Sequence, residues 1–334
     1  MNIEMRSMTS RLPGIGCWPS TLRDWLTAHS RVRLGRLDCS PIFHDSRESL
    51  VKILSRDGST IRFDTKYGFE ILLPASYRAM IIMALRGVLF HSTLLEVASK
   101  AIQPGDIVID GGSNIGFFAL FAATRLQGKG CIVAFEPDPE TFSLVQKNIL
   151  RNGFGDIIRA ERLALTDKDG TFNFNVNSEE PMLNSLFSGD SGSTGHTRVS
   201  GVCLDNFLAA SGINRADIVK LDLEGAEPLA LEGARATLPS VRMLIFEANE
   251  PQLKQLAISP VELVERTAAA GRFDTVSFID ERSEKVCCWE PREFEEALND
   301  YKFINVVCTR SCSTGNLSSP PLQSAVPSNS SGGG

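Results

Sequence analysis

The sequence has little that favours a zinc site, a membrane span or nucleic-acid binding. Its eight cysteines form no C-x-x-C pair, and the adjacent Cys287 and Cys288 are poorly placed to chelate one ion. No apolar run approaches the length of a membrane span, and the N-terminus lacks the pattern of a secretory signal. A net charge of −6 argues against a general basic field for phosphates. We therefore expect a cytoplasmic protein with reduced cysteines, no transmembrane segment and no nucleic-acid partner.

Composition divides the 334 residues into four segments. Residues 1–59 are interrupted by proline and glycine and have a mild basic bias, so we expect a poorly ordered or variable extension. Residues 60–103 predict a β-hairpin and then a helix broken near Gly87, which together form a lead-in to the core. Residues 104–310 carry the core, and 60–310 form one domain. Residues 311–334 are rich in Ser, Pro and Gly, which predicts a disordered tail.

From residue 104 apolar strands alternate with amphipathic helices, which predicts an α/β fold with a doubly wound sheet. The sheet should be mostly parallel with an antiparallel last strand. Strands are expected at 107–110, 131–135, 162–165, 218–222, 243–246, 273–279 and 303–308. Extra β-structure is expected between the third and fourth strands, around a mobile stretch Ser188–Gly195.

The central motif is Asp110-Gly-Gly-Ser-Asn-Ile-Gly116, where a strand turns into a helix. Gly111 and Gly112 permit a tight turn and close approach of a ligand. A nicotinamide fingerprint G-x-G-x-x-G would place its middle glycine where Ser113 stands. A carboxylate at Asp110 opposes a diphosphate but suits S-adenosylmethionine, which carries an ammonium and a sulfonium. The motif favours S-adenosylmethionine, with a nicotinamide oxidoreductase as the alternative.

Two further acidic motifs follow neighbouring strands. Glu136 ends the next strand, where a carboxylate can accept hydrogen bonds from both ribose hydroxyls. Its alternative role, complementing the dipole of the following helix, is already filled by Asp138. Alternation places Lys220, Asp222 and Glu224 on one side of a later strand, converging at the carboxyl edge. A plain surface cluster of Lys and Glu is the alternative there.

Four motifs occur in the same order as in the FkbM-type methyltransferases, and the sequence resembles that family over roughly residues 60–310. They are Asp110–Gly116, Ala134–Pro139, Leu204–Phe207 and Lys220–Glu227. Glu247 is similar to the family's acidic end of strand five. The resemblance implies a class I, Rossmann-like methyltransferase fold and S-adenosyl-L-methionine as cofactor. It implies that the cofactor is bound by Asp110, Gly111, Gly112, Asn114, Gly116 and Glu136, with Asp222 beside it.

Members of this family are mostly O-methyltransferases of sugars, polyketides and other natural products, so the resemblance implies a small-molecule or glycan hydroxyl acceptor. It also implies that Glu224 and Glu227 belong to the active-site strand end. A base would assist loss of the hydroxyl proton, and the candidates are Asp222, Glu224 and His196. Asp222 and Glu224 are alternatively placed to hold a divalent cation, but without a nearby histidine pattern we expect no metal. A non-catalytic cofactor-binding interaction module stays open as a third function.

Overall fold

The computed structural model describes residues 51–57, 60–77, 80–81, 84, 92–177, 184–187, 195–280, 283 and 285–310. Its strands are β1 Val51–Asp57, β2 Thr60–Thr65, β3 Glu70–Pro74, β4 Ile107–Gly111, β5 Cys131–Phe135, β6 Ile158–Glu161, β7 Ala164–Leu165, β8 Gly170–Val176, β9 Gly195–Val202, β10 Ile218–Leu221, β11 Met243–Asn249, β12 Thr275–Asp280, β13 Lys285–Cys288 and β14 Phe303–Thr309. Its α-helices are α1 Ser92–Ala101, α2 Phe117–Leu126, α3 Pro139–Arg151, α4 Leu204–Ala210, α5 Glu227–Glu232, α6 Glu250–Gln255, α7 Pro260–Gly271 and α8 Pro291–Tyr301.

The central sheet has the strand order β13-β12-β14-β11-β10-β4-β5-β6. Strands β11, β10, β4, β5 and β6 pair in parallel, whereas β14 runs antiparallel between β11 and β12. This topology confirms the expected class I, Rossmann-like sheet with an antiparallel last strand. The strand order reverses between β4 and β10, and open α/β sheets bind ligands beyond the carboxyl ends of such a pair.

The inner parallel strands β4, β5, β10 and β11 are buried on both faces, which explains their mostly apolar sequences. In β4, Val108 packs into a core with α1, α2 and α3, while its neighbour Ile109 packs into a second core with α4, α5 and α7. Both side chains are fully buried. This packing fixes the strands and therefore the positions of the polar residues at their ends.

The predicted hairpin is confirmed as β2 and β3, and side-chain amides of α3 attach it to the core. The Asn148 and Asn152 carbonyl oxygens accept hydrogen bonds from the Leu72 and Glu70 amides at 2.7 and 2.8 Å. Their NH₂ groups donate back to the carbonyls of the same two residues. The asparagines thus pair with β3 as a neighbouring strand would. The predicted helix break at Gly87 lies outside the described residues.

Some boundaries differ from the sequence predictions. The third strand of the central sheet is β6, not 162–165, because part of that range forms β7 in a separate sheet with β8 and β9. Strand β1 extends the lead-in sheet before residue 60, inside the expected extension. Strand β13, which pairs with β12 at the sheet edge, was not predicted. Predictions for 1–50, for most of Ser188–Gly195 and for 311–334 fall outside the residues that the structure describes.

The last two predicted strands are confirmed as antiparallel neighbours, β12 and β14. The predicted extra β-structure is confirmed as the pair β8 and β9. Asp138 caps α3 as expected, because its Oδ2 accepts a hydrogen bond from the Thr141 amide at 2.8 Å. In the described part of the chain, no helix has the length and apolarity needed to cross a membrane.

Candidate functional site

The glycine turn between β4 and α2 is packed against the end of β10. Gly112 has φ +70°, and a Cβ there would lie 1.8 Å from the carbonyl oxygen of Asp222. The Asp222 amide donates to the Gly111 carbonyl at 3.1 Å. Only glycine fits at residue 112, because the positive φ disfavours other residues and because any side chain would clash with the Asp222 carbonyl. The turn and the acidic motif after β10 therefore form one structural unit.

Asp110 lies beneath this turn and is fully buried. Its Oδ2 accepts a hydrogen bond from the Ala119 amide in the first turn of α2 at 3.1 Å. Its Oδ1 lies 3.5 Å from the Lys220 ammonium. Asp110 thus holds the turn to the helix and to β10, whereas the sequence analysis placed its carboxylate against the cofactor.

Lys220 lies opposite Asp110 in the register of β10 and β4 and joins the glycine turn to the acidic motif. Its Nζ donates to the Gly112 carbonyl at 3.2 Å and lies 3.3 Å from Asp222 Oδ2. Burial lowers the pKa of Lys220, but Asp222 and Asp110 raise it by more, and the net change is upward. The ammonium is therefore charged and paired inside the protein, not directed at a ligand.

Glu136, at the end of β5, connects the two neighbouring strand ends. Its Oε2 accepts from the Asn114 amide at 2.9 Å and its Oε1 from the Asp138 amide at 3.0 Å. Burial raises the pKa of Glu136 to about 8, against the lowering effect of these amide donors. Each oxygen keeps acceptor capacity for another donor. Glu136 and Asn114 thus lie in contact at one edge of the crevice.

Two buried side-chain atoms of the turn, Ser113 Oγ and Asn114 Oδ1, have no hydrogen-bond partner in the described part of the chain. Asn114 adopts φ +51°, a left-handed conformation that Asn tolerates better than most residues. Buried polar atoms are seldom left unpaired, so unpaired ones at a strand-to-helix turn fit a ligand with hydrogen-bonding groups. Gly116 also has a positive φ, and a Cβ added there would lie 3.4 Å from Val145 Cγ1 on α3.

Three carboxylates from adjacent elements meet beside the turn. Each of Asp222, Glu227 and Glu247 offers one oxygen, and the three oxygens lie within 4.8 Å of one another. Burial raises the pKa of Glu227 to about 8. Backbone hydrogen-bond donors oppose this rise, and the charge of Asp222 adds to it. Burial, followed by the charges of Glu224 and Asp222, raises the pKa of Glu247 well above its usual value. The pKa values show how costly negative charge is in this cluster.

Glu224 does not continue the alternation that the sequence predicts, because β10 ends at Leu221. It has φ +51°, and its carbonyl oxygen accepts a hydrogen bond from Ser185 Oγ at 2.7 Å. Burial raises the pKa of the Glu224 carboxyl well above its usual value, and the negative charges of Asp222 and Glu227 raise it further. Ser185 belongs to the insertion between β8 and β9, and no sequence motif indicated that this insertion reaches the site.

His196 lies on β9 with an exposed side chain. It pairs with Asn175, which bridges to Ser185 on its other side. His196 and Ser185 therefore lie on opposite sides of Asn175, with their backbones roughly 10 Å apart, twice the usual spacing of neighbouring strands. Among the described residues, no hydrogen bond or ion pair joins His196 to Asp222 or Glu224. The structure thus groups Asp222 and Glu224 and leaves His196 apart.

The sheet topology and the position of the glycine turn at the switch between β4 and β10 define the class I methyltransferase architecture. Residues 110–281 match the family model described as the methyltransferase FkbM domain, and the chain belongs to that family. The match confirms the resemblance stated from the four motifs. It gives no support to the nicotinamide oxidoreductase alternative.

Curated relatives carry methyltransferase names. The chain is 28% identical over 181 residues to 31-O-demethyl-FK506 methyltransferase FkbM of Streptomyces tacrolimicus, covering 45% of this chain and 67% of that one. It is 28% identical over 169 residues to hexuronic acid methyltransferase AglP of Haloferax volcanii, covering 50% and 66%. It is 23% identical over 172 residues to 2-O-methyltransferase NoeI of Sinorhizobium fredii, covering 47% and 69%. The matches thus span about two thirds of each relative and about half of this chain.

Solved structures show distant similarity. The methyltransferase FkbM from Methylobacillus flagellatus aligns with TM-score 0.39 and 13% identity, over 71% of this chain and 55% of that one. An S-adenosylmethionine-dependent methyltransferase from Agrobacterium tumefaciens aligns with TM-score 0.41 and 13% identity, over 77% and 72%.

Proposed function

We propose that this methyltransferase transfers the methyl group of S-adenosylmethionine to a hydroxyl group of a small-molecule or glycan acceptor. The observation that carries the proposal is the contact between Gly112 and Asp222, which places the glycine turn directly beside the acidic motif after β10. A cofactor at the turn and an acceptor at the acidic motif would then be neighbours.

The groups around the turn fit the cofactor. Glu136 would accept the ribose hydroxyls, for which its two oxygens have remaining lone pairs. Gly111 and Gly112 allow close approach of the backbone, and the unpaired oxygens of Ser113 and Asn114 supply further polar contacts. Asp110 acts indirectly in this proposal, since it holds the turn in place from beneath.

The bound cofactor supplies a methyl carbon that is already activated by its sulfonium. The chain supplies alignment, which can lower a barrier by roughly 7–11 kcal/mol. It also supplies a base, which typically adds about a hundred- to ten-thousand-fold in rate. We assign that base to Glu224. It lies two residues after Asp222, which contacts the glycine turn, and its backbone is held at φ +51° by the surrounding structure. His196 is not assigned, because its exposed side chain lies apart from these carboxylates.

The names of two relatives support oxygen as the acceptor atom, since they denote a 31-O- and a 2-O-methyltransferase. The third is named for a hexuronic acid, a hydroxyl-rich sugar acid. The insertion between β8 and β9 reaches the proposed acceptor site, because its Ser185 hydroxyl donates a hydrogen bond to the carbonyl oxygen of Glu224. We infer that this insertion contributes to acceptor selection.

An acceptor screen with radiolabelled S-adenosylmethionine tests the proposal. Sugars, lipids and polyketide alcohols are incubated with the full chain, and labelled product and released S-adenosylhomocysteine are measured. We expect release to depend on a hydroxyl acceptor. Transfer only to nitrogen or carbon acceptors would contradict the O-methyltransferase assignment. Cofactor binding without turnover across the screen would favour the non-catalytic module.

A substitution separates the base from the rest of the site. Glu224→Gln should lower kcat by about a hundred-fold or more while leaving cofactor affinity within about twofold. Glu262→Gln is the matched control, because Glu262 lies exposed on α7 and pairs with Arg266 on the same helix. Equal turnover in the wild type and Glu224→Gln would remove Glu224 from the reaction.

A further inference from the structure

A group of carboxylates beside the glycine turn is organised like the ligand set of a metal ion. Asp222 follows β10, Glu247 lies in β11 and Glu227 begins α5. Leu221 pairs with Phe246 in the parallel register, so Asp222 and Glu247 follow at adjacent strand positions. One oxygen of each carboxylate lies within 4.8 Å of the others. Three separate elements thus direct oxygen atoms to one point.

One member of this group has an unpaired oxygen in the protein interior. Glu227 is only 1% exposed. Its Oε1 accepts from the Leu223 amide at 2.6 Å, while its buried Oε2 has no hydrogen-bond partner among the residues that the structure describes. An unpaired carboxylate oxygen in such a position is costly unless a cation or a donor meets it. The unpaired oxygen is therefore a second indication of a ligand, independent of the clustering.

The protein itself provides little positive charge here. Among the described ion pairs, Lys220 pairs with Asp222 but also with Asp110, and no described pair involves Glu227 or Glu247. Within the described part of the chain, Asp222 therefore shares one ammonium with Asp110, and no ion pair neutralises Glu227 or Glu247. Buried charges are normally paired or bound to metals.

We propose that Asp222, Glu227 and Glu247 bind one divalent cation of the oxygen-preferring type, Mg²⁺ or Ca²⁺. Carboxylate oxygens are the ligands that these ions select. Two oxygens on one ion are at most about 4.2 Å apart for Mg²⁺ and about 5 Å apart for Ca²⁺. Three oxygens within 4.8 Å of one another lie at most about 2.8 Å from a common centre, so the group needs at most a small contraction to bind Ca²⁺ and a larger one to bind Mg²⁺. The sequence expectation of no metal considered Asp222 with Glu224, whereas the structure gathers a different set.

The role of the ion rests on the proposed function. Asp222 is 42% exposed, so the site is open on that side for an acceptor oxygen or water. A bound divalent cation lowers the pKa of a hydroxyl that it coordinates and orients that oxygen. The ion would thereby favour loss of the hydroxyl proton beside Glu224. Binding of the ion itself does not require that methyl transfer be correct.

The test uses Mn²⁺ as the probe, with the full chain freed of metal by a chelator and no S-adenosylmethionine present. Free Mn²⁺ is followed by electron paramagnetic resonance, and thermal unfolding is recorded with and without the ion. We expect saturable binding of one ion per chain, displacement by Mg²⁺ or Ca²⁺, and a higher Tm in its presence. Glu247→Gln should weaken binding at least about tenfold. Glu262→Gln on α7 should bind as the wild type does.

Glu247→Gln carries this test because Glu247 is partly exposed, and its Tm without metal checks its folding. Glu227→Gln is a second variant, interpreted only if it unfolds cooperatively. No saturable Mn²⁺ binding, or equal binding by wild type and Glu247→Gln, would overturn the metal site. S-adenosylmethionine binding and turnover in the metal-free protein would refute the ion's role alone. Mn²⁺ binding without methyl transfer would refute the proposed function alone.

Discussion

Asp110 and Lys220 form an ion pair in the interior of the sheet, directly opposite each other on β4 and β10. Their side chains are 0% and 8% exposed, and 3.5 Å separates the carboxylate oxygen from the ammonium nitrogen. The same ammonium bonds the Gly112 carbonyl, and the same carboxylate bonds the start of α2. This pair therefore joins the glycine turn, its helix and the strand that carries the acidic motif.

Removing Lys220 should destabilise the protein strongly. Lys220→Met leaves Asp110 buried without its partner, and breaking a buried pair in this way typically costs about 3–5 kcal/mol. Urea unfolding followed by circular dichroism measures the change. Arg235→Met, at an exposed pair with Glu232, should change stability by less than about 1 kcal/mol. A Lys220→Met protein as stable as the wild type would show that the pair is not structural.

Gly112→Ala should disrupt the turn. Residue 112 has φ +70°, and a Cβ would lie 1.8 Å from the Asp222 carbonyl oxygen, which is backbone and cannot move freely. Gly128→Ala is the matched control, because Gly128 has φ +78° but no atom of the described residues lies within 4 Å of a Cβ added there. Both variants bear the backbone strain of about 1–2 kcal/mol, and only Gly112→Ala adds the clash. Equal stability losses in thermal unfolding would contradict the close contact.

Glu136→Ala should weaken S-adenosylmethionine binding by about 1–3 kcal/mol, because the buried donors around this carboxyl lose their hydrogen-bond acceptor. Calorimetric titration of the folded variant measures the loss. Glu140→Ala, at an exposed position in the first turn of α3, should bind as tightly as the wild type. Unchanged affinity in Glu136→Ala would contradict the assignment of the ribose to this carboxylate.

The raised pKa of Glu136 predicts a pH dependence of folding. The folded protein keeps a proton on this carboxyl up to a pKa of about 8, whereas the usual value is 4.5. The contribution of Glu136 to stability is therefore present below pH 4.5 and falls as the pH rises towards 8. In Glu136→Gln nothing titrates at this position, so the variant should gain on the wild type as pH rises through that window. Unfolding curves across this range check the trend, and Glu140→Gln should keep the wild-type slope.

Much of the fold could be predicted because its central strands are short apolar runs bounded by glycine, proline or polar residues. Strand β5 and helix α3 illustrate this, since burial on both faces and the Asp138 cap appear directly in the sequence. Strand β6 was misplaced because it is an edge strand in which Arg159 and Glu161 interrupt the apolar pattern. Strand β13 was missed for the same reason, because most of its side chains are exposed.

The candidate site was predictable in its motifs but not in its contacts. The glycine turn and the acidic strand ends stand out because few folds need those residues at those places. The partners of Asp110 and Lys220 depend on the register of β10 with β4, which the sequence does not contain. The grouping of Glu227 with Asp222 depends on β10 ending at Leu221, so alternation could not indicate it. Ser185 gave no signal at all.

The central claim is that the crevice beyond β4 and β5 binds S-adenosylmethionine. Calorimetric titration of the purified chain with S-adenosylmethionine, and separately with NADH, tests it most directly. We expect saturable binding of one S-adenosylmethionine per chain and no binding of NADH, since Ser113 stands where a dinucleotide fingerprint has its middle glycine. Saturable binding of NADH with no binding of S-adenosylmethionine would contradict the account.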